Sequence, residues 1–76
     1  MSEKIPIGEV LKAMREHLGL TQAELGDKLG WTRQRIGNLE SGNFHPSLVT
    51  LFRIASFTGI PASRILRNVE KRLPPL

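Results

Sequence analysis

The seven residues TRQRIGN, Thr32 to Asn38, concentrate side chains that can make paired hydrogen bonds. They are Arg33, Gln34, Arg35 and Asn38. An arginine guanidinium matches atoms O6 and N7 of guanine, and a glutamine or asparagine amide matches N6 and N7 of adenine. Gly37 lies among them, although glycine costs about 1 kcal/mol against alanine in a helix interior. This segment therefore indicates contact with nucleobases, and not folding alone.

Helical periodicity would place these side chains on one side of a short helix. At about 100° per residue, Ile36 and Leu39 point to one side and supply the buried face. The outward side carries Gln34, Gly37 and Asn38, with Arg33 and Arg35 on its flanks. Such a helix enters the major groove by its amino-terminal end. Gly37 then either lets the backbone approach the groove closely or leaves room for Arg33 and Gln34 to move. The alternative is that glycine has no function at this position and is merely tolerated.

Start and stop signals divide the whole chain into five helices, and no alternating apolar run longer than four residues indicates a strand. The predicted helices are helix 1 from about Pro6 to Leu18, helix 2 from the Thr21 cap to Gly30, helix 3 from the Thr32 cap to Gly42, helix 4 from near Ser47 to Gly59, and helix 5 from about Pro61 to before Pro74. Glu24 completes a capping box with Thr21. The predicted fold class is therefore all-α.

Each predicted helix has an apolar side. The inner positions are Ile7, Val10, Leu11, Met14 and Leu18 in helix 1; Leu25 and Leu29 in helix 2; Ile36 and Leu39 in helix 3; Leu48, Leu51, Phe52, Ile54 and Ala55 in helix 4; and Ile65, Leu66 and Val69 in helix 5. The pattern predicts one domain over residues 1–76, with a core over about 6–72 and a loose end over 73–76.

The connection between helices 2 and 3 is very short. Only Gly30 and Trp31 join them, so the two helices must cross sharply, as in a helix-turn-helix. Gly26 is expected where the helices approach closely, and Gly30 can take the positive φ that the turn needs. Trp31 is expected in the small core beneath the pair, with stacking on DNA as the alternative, and Phe44 is expected against helix 4.

With these features in one register, the chain resembles the phage-repressor and Cro-like (XRE) helix-turn-helix regulators from about Val10 to Leu66. The matching segments are LGLTQAEL (18–25), Gly30, TRQRIGNLESG (32–42), PSLVTLFRIA (46–55) and GIPASRIL (59–66). The resemblance implies a five-helix, lambda-repressor-like DNA-binding domain that reads double-stranded DNA with helix 3. It also implies a small transcriptional regulator, a repressor in the first instance.

The resemblance assigns roles to individual residues. The residue matching Gln22 contacts a phosphate, which suits the free amides at a helix start. The residues matching Arg33, Gln34 and Asn38 read bases, and Thr32 and Arg35 are placed for the DNA backbone. The loop after Gly42 departs from the family because it lacks a basic residue. Phosphate contact there depends on backbone amides, Asn43 or a neutral His45.

The resemblance also pairs Arg15 with Glu40, as an ion pair between helix 1 and the end of helix 3. Glu40 is one of only two acids in residues 30–76. This scarcity favours a structural role for Glu40. A surface glutamate without a partner is the alternative.

Composition and charge narrow the function classes. The chain has 76 residues, no cysteine and a net charge of +4. Residues 1–29 carry four bases and five acids, whereas residues 30–76 carry seven bases and two acids, a distribution that suits a polyanionic partner. The two histidines form no recognisable metal set, and no catalytic triad or phosphate-binding glycine loop occurs. We therefore expect a cytoplasmic, non-enzymatic protein without metal, cofactor, small-molecule ligand or membrane span.

The expected assembly is a homodimer on a palindromic operator, because one domain offers few base contacts. The candidate interface residues are Phe57, Ile65, Val69 and Leu73, which could equally close the core of the monomer. The alternative function is a protein-interaction module on the same scaffold, and small members of the family also include antitoxins and restriction–modification controllers. A toxin or a polymerase could then be a further partner.

Overall fold

A computed structural model describes residues 5–74, which contain five α-helices and no strand. The helices are α1 (Ile7–His17), α2 (Gln22–Leu29), α3 (Arg33–Glu40), α4 (Leu48–Thr58) and α5 (Ala62–Arg72). The all-α prediction is confirmed, and each boundary lies within about two residues of its predicted place. Pro75 and Leu76, part of the expected loose end, lie outside the described residues.

Side-chain caps begin the three middle helices. The Thr21 hydroxyl accepts a hydrogen bond from the Glu24 amide at 3.1 Å, and the Thr21 amide donates to the Glu24 carboxylate at 2.9 Å. This reciprocal pair is the predicted capping box. The Thr32 hydroxyl accepts from the Arg35 amide, and the Ser47 hydroxyl accepts from the Thr50 amide, each at 3.1 Å. The caps thus fix where α2, α3 and α4 begin.

The core lies where all five helices meet. α3 packs between α1 and α2, while α5 packs against α1 and α4. The buried apolar residues are Ile7, Val10, Leu11, Leu25, Leu29, Ile36, Leu39, Leu51, Ile54, Ile65 and Val69. Ile36 and Leu39 are 0% exposed, as the periodicity of the third helix predicts. These two side chains anchor α3 in the core, so its other side faces out.

Two glycines allow the helices to approach closely. A Cβ at Gly26 would overlap the carbonyl oxygen of Trp31, directly in the turn between α2 and α3. The expected close approach at Gly26 is therefore confirmed. A Cβ at Gly8 would overlap the carbonyl of Leu39 and lie 2.7 Å from that of Glu40. Gly8 thus lets α1 touch the end of α3, a role that the sequence did not indicate.

Four predicted inner positions are wrong. Leu48 and Phe52 are 66% and 62% exposed, and Leu18 and Leu66 are each 40% exposed. In α4, the segment LVTLFRIA is apolar around most of the helix, whereas one side alone meets the core. That side is occupied by Thr50, Leu51 and Ile54. Leu18 is the residue that ends α1, and Leu66 lies next to the inward-pointing Ile65.

No helix within residues 5–74 is long and apolar enough to cross a membrane.

Candidate nucleic-acid interface

The amino-terminal turn of α3 presents its polar side chains to solvent. Arg33 and Gln34 are its first two residues, and both are exposed. Within the described chain neither side chain makes a hydrogen bond or an ion pair. Their hydrogen-bonding groups are therefore available to a ligand. This turn contains no acidic residue, so a polyanion would meet no repulsion from it.

Thr32 immediately precedes this turn, and its hydroxyl oxygen is used as the helix cap. The hydroxyl hydrogen and the exposed position leave Thr32 able to donate outward, since a hydroxyl is both donor and acceptor. The cap and a contact to an anion are therefore compatible.

Arg35 folds back onto the protein. Its guanidinium carbon lies 3.9 Å from the centroid of the Trp31 ring and 5.8 Å from that of Phe44. The two rings are themselves 5.9 Å apart and tilted by 50°. A stacked guanidinium keeps its N–H groups at the rim, where they can still bind a phosphate. Both rings are partly buried against the core, as expected for Trp31, and the Arg35 guanidinium lies over the Trp31 ring.

Asn38 and Asn43 form a pair at the far end of α3. The Asn43 side-chain amide donates to Oδ1 of Asn38 at 3.1 Å, and its backbone amide donates to the Asn38 carbonyl at 3.0 Å. The first bond orients the Asn38 amide. It leaves that amide both its N–H donors and one acceptor lone pair. Asn38 therefore keeps the donor and acceptor that paired contact with adenine requires.

Behind the exposed side of α3 lies the predicted ion pair. Arg15 donates from Nε to Glu40 at 2.6 Å and from Nη2 to the second carboxylate oxygen at 3.1 Å. The Arg15 and Glu40 side chains are 10% and 3% exposed. Hydrogen bonding to Glu40 raises the pKa of Arg15, so this guanidinium stays charged. Arg15 also donates to the carbonyl of Leu20 at 2.8 Å, which ties α1 to the start of α2.

Gln22 connects this ion pair to the surface. Its side-chain amide donates to Glu40 at 3.0 Å and lies 3.7 Å from the place of a Cβ at Gly37. A primary amide has two N–H donors, so one remains for a ligand at the start of α2. Gly37 lies under Gln22, and a small side chain would fit there in ordinary contact. Gln22 thus belongs to both the buried network and the exposed site.

One supporting contact had no signal in the sequence. Arg53, near the middle of α4, donates from Nη2 to the carbonyl of Leu29 at 3.0 Å. It satisfies a carbonyl that the end of α2 leaves without a partner. An arginine on a helix can reach many carbonyls, and only the crossing of α4 and α2 selects this one.

The expected interface residues separate into two groups. Ile65 and Val69 are 0% and 4% exposed, so they close the core of the protomer and cannot form a contact surface. Phe57 is partly buried against that core, and Leu73 is 40% exposed. The expected interface role is therefore wrong for Ile65 and Val69. The periodicity of α5 shows which residues share its apolar side, but it does not show that this side packs on α1.

Together, the short turn, the core-anchored second helix of the pair and its exposed polar edge define a protein of the helix-turn-helix class. Comparison with known proteins agrees. The helix-turn-helix family model matches residues 11–65, most of the chain. The chain belongs to this family, whose members are DNA-binding transcriptional regulators.

Several proteins of this family are similar to the chain. An uncharacterized HTH-type transcriptional regulator of Methanothermobacter thermautotrophicus is 46% identical over 50 residues, which cover 66% of this chain and 72% of that protein. The immunity repressor protein of Bacillus phage phi105 is 35% identical over 60 residues, covering 79% and 42%. An SPbeta prophage-derived HTH-type regulator of Bacillus subtilis is 37% identical over 63 residues, covering 83% and 58%. The chain thus spans less than two thirds of the last two proteins.

Proposed function

We propose that the protein represses transcription by binding a specific double-stranded DNA sequence with α3 in the major groove. The observation that carries this proposal is the division of α3 into two sides. Ile36, Leu39 and Glu40 fix one side to the protein, while Arg33 and Gln34 extend freely from the other. A fixed helix with free, paired hydrogen-bonding groups at its amino-terminal end is suited to base recognition.

We assign base recognition to Arg33, Gln34 and Asn38. Arg33 and Gln34 are exposed, and the Asn38 amide is oriented by Asn43. Gly37 has open space above it except for Gln22, so it lets the backbone of α3 approach the groove closely. Each of these residues belongs to the outward side or the end of α3.

We assign phosphate contacts to residues that surround the exposed side of α3. Gln22 keeps one N–H donor at the start of α2, Thr32 keeps its hydroxyl donor, and Arg35 keeps the rim of its guanidinium. Asn43 contributes from the loop after α3. Such contacts position a protein on the duplex and carry no sequence information themselves.

The repressor binds as a homodimer in this proposal, and a cluster on α4 forms the contact. Leu48, Val49 and Phe52 are 66%, 70% and 62% exposed. At about 100° per residue they share an arc of about 100° on the side of α4 that faces away from Leu51 and Ile54. We call these three residues the α4 apolar patch. Contiguous exposed apolar surface of this kind marks an interaction site more often than isolated residues do.

The five helices act as a single DNA-binding domain in this proposal, with the core over about 6–72. The repressor works in the cytoplasm, where bacterial and archaeal DNA lies. The relative from phage phi105 is an immunity repressor protein, which supports repression over activation.

Selection of bound sites from random duplex DNA tests the proposal. We expect one palindromic motif whose half-sites are about 34 Å apart on one face of the duplex. Affinity for that site should fall steeply as salt rises, because each neutralised phosphate releases counterions. Recovery of no motif at low salt, or binding that is indifferent to salt, would contradict DNA recognition and favour a protein-interaction module.

A further inference from the structure

A second feature lies on a different part of the molecule, between α1 and α5. An open groove of about 470 Å³ runs there. Its lining residues are Val10, Ala13, Met14, His17, Ile60, Arg64, Asn68, Lys71 and Arg72. α1 meets the end of α3 through Gly8 and Arg15. Val10, Ala13 and Met14 line the groove, and at about 100° per residue they lie on another side of α1, so the groove and α3 adjoin different sides of that helix. The groove therefore belongs to a surface that the proposed DNA contact does not use.

The wall of the groove is strongly basic. Arg64, Lys71 and Arg72 line it from α5, and no acidic residue does. In the part of the chain that the structure describes, the one ion pair joins Arg15 to Glu40, so these three cations have no carboxylate partner there. Arg64 and Arg72 are eight residues apart, which is about 12 Å along a helix. The charge thus extends along the groove.

The floor of the groove is apolar. Val10, Met14 and Ile60 form it, and the last two are partly buried hydrophobic residues packed on the core. A nucleic acid backbone or a free phosphate would satisfy the cations but would leave this floor unused. A peptide with acidic and apolar side chains would satisfy both, because carboxylates pair with the wall while apolar groups cover the floor.

We propose that the α1–α5 groove is a docking site for an acidic, amphipathic segment of a partner protein. The occupant is a short peptide stretch that places Asp or Glu against Arg64 and Lys71 and an apolar side chain over Met14. Because the groove and α3 adjoin different sides of α1, the partner binds to the repressor without competing for the exposed edge of α3. The proposal stands on the groove and does not depend on the proposed DNA recognition.

Peptide selection on the full chain tests this site. The probe is a library of random twelve-residue peptides, each about 18 Å long when helical. We expect enrichment of peptides that combine Asp or Glu with large apolar residues. Amide chemical-shift changes on peptide binding should map to α1 and α5. Enrichment of basic or uncharged peptides, or of none, would overturn the proposal.

A matched pair of variants separates this groove from general charge. Arg64 lines the groove, whereas Arg67 is exposed on the same helix and does not line it. Arg64→Glu should weaken the selected peptides about tenfold or more, because it places like charges together. Arg67→Glu, with the same change in net charge, should change their affinity by about twofold or less. Equal losses in the two variants would show non-specific attraction and overturn the site.

Two further measurements keep the outcome interpretable. Both arginines are exposed, so the thermal unfolding of each variant should match that of the parent chain; Lys71→Glu is the substitute if Arg64→Glu does not fold. Duplex DNA affinity is measured on the same variants. If Arg64→Glu reduces DNA affinity as much as peptide affinity, the groove contacts nucleic acid and the peptide proposal is wrong.

Discussion

Gln22 donates a hydrogen bond to Glu40 across 3.0 Å, and so joins the first residue of α2 to the last residue of α3. The same carboxylate holds Arg15 of α1 by two hydrogen bonds. One acidic side chain therefore fixes three helices relative to one another. The orientation of α3 therefore depends on this buried network as well as on the turn between α2 and α3.

Replacing Glu40 by alanine should therefore destabilise the protein strongly. It leaves the largely buried Arg15 guanidinium without its carboxylate partner, which costs about 3–5 kcal/mol in the free energy of unfolding. Urea denaturation measures the change. Asp27→Ala, which removes an exposed acid from α2, is the control and should change stability by about 0.5 kcal/mol or less. A small effect at Glu40 would show that the ion pair is not structural.

Gly37 and Gly26 should respond oppositely to alanine. A Cβ at Gly37 meets only the Gln22 side chain, at 3.7 Å, so Gly37→Ala should stabilise the fold by about 1 kcal/mol. At Gly26 the Cβ overlaps the Trp31 carbonyl, so Gly26→Ala should destabilise it by about 1–3 kcal/mol. Thermal unfolding of both variants tests this contrast.

DNA affinity then decides why Gly37 is glycine. If the stabilised Gly37→Ala protein binds its selected site more weakly, close approach of the backbone to the groove is supported. Unchanged affinity would instead indicate that glycine has no role in DNA binding at this position and is merely tolerated.

The elements that sequence predicts well are those defined by local chemistry. Thr21, Thr32 and Gly30 each satisfy a requirement of neighbouring backbone groups, and all three take their predicted roles. The inward side of α3 was also predictable, because Ile36 and Leu39 are its only large apolar residues. Local rules and tertiary structure agree at these positions.

The errors arise where a choice depends on a partner helix. The segment LVTLFRIA offers more apolar residues than one side of α4 can bury, and the side that is covered is the one that meets the neighbouring helices, α2 and α5 among them. Likewise, the sequence alone could not tell which apolar residues of α5 close the core and which could form an interface. Two side-chain contacts also depend on how the chain packs in three dimensions. They are the stacking of Arg35 on Trp31 and the hydrogen bond from Arg53 to the Leu29 carbonyl.

Alanine at Arg33 or Gln34 should weaken binding to the selected DNA site by about 1–3 kcal/mol and relax preference at one base position. The reason is that each exposed side chain can make a paired contact with one base edge. Binding titrations on the selected site and on single-base variants measure both effects. Ser63→Ala, an exposed change on α5, serves as the control. Equal weakening on every duplex would mean that Arg33 and Gln34 contact phosphates instead.

Stability should decline in acid partly through Glu24. The Thr21 backbone amide, and then the Thr21 hydroxyl, hold the pKa of Glu24 below its ordinary value of 4.5. A lowered folded pKa means that the carboxylate stabilises the fold above its unfolded pKa, and that this contribution is lost as pH falls through the folded pKa. Denaturation midpoints between about pH 3 and 7 measure the loss.

Glu24→Gln should reduce this acid sensitivity, since the glutamine amide oxygen can still accept from Thr21 but does not titrate. Asp27→Asn, which neutralises an exposed acid on the same helix, is the matched control. If both variants alter the pH profile equally, the capping box is not its source.

Replacing Phe52 by serine should disrupt the proposed dimer and leave the fold intact. Phe52 is 62% exposed in the protomer, so its removal should change the free energy of unfolding of the monomer by about 0.5 kcal/mol or less. Sedimentation equilibrium should show a shift from dimer to monomer, because the α4 apolar patch loses its largest side chain. Leu73→Ser, an exposed apolar change outside that patch, is the control. Dissociation by Leu73→Ser alone would place the interface at the end of α5.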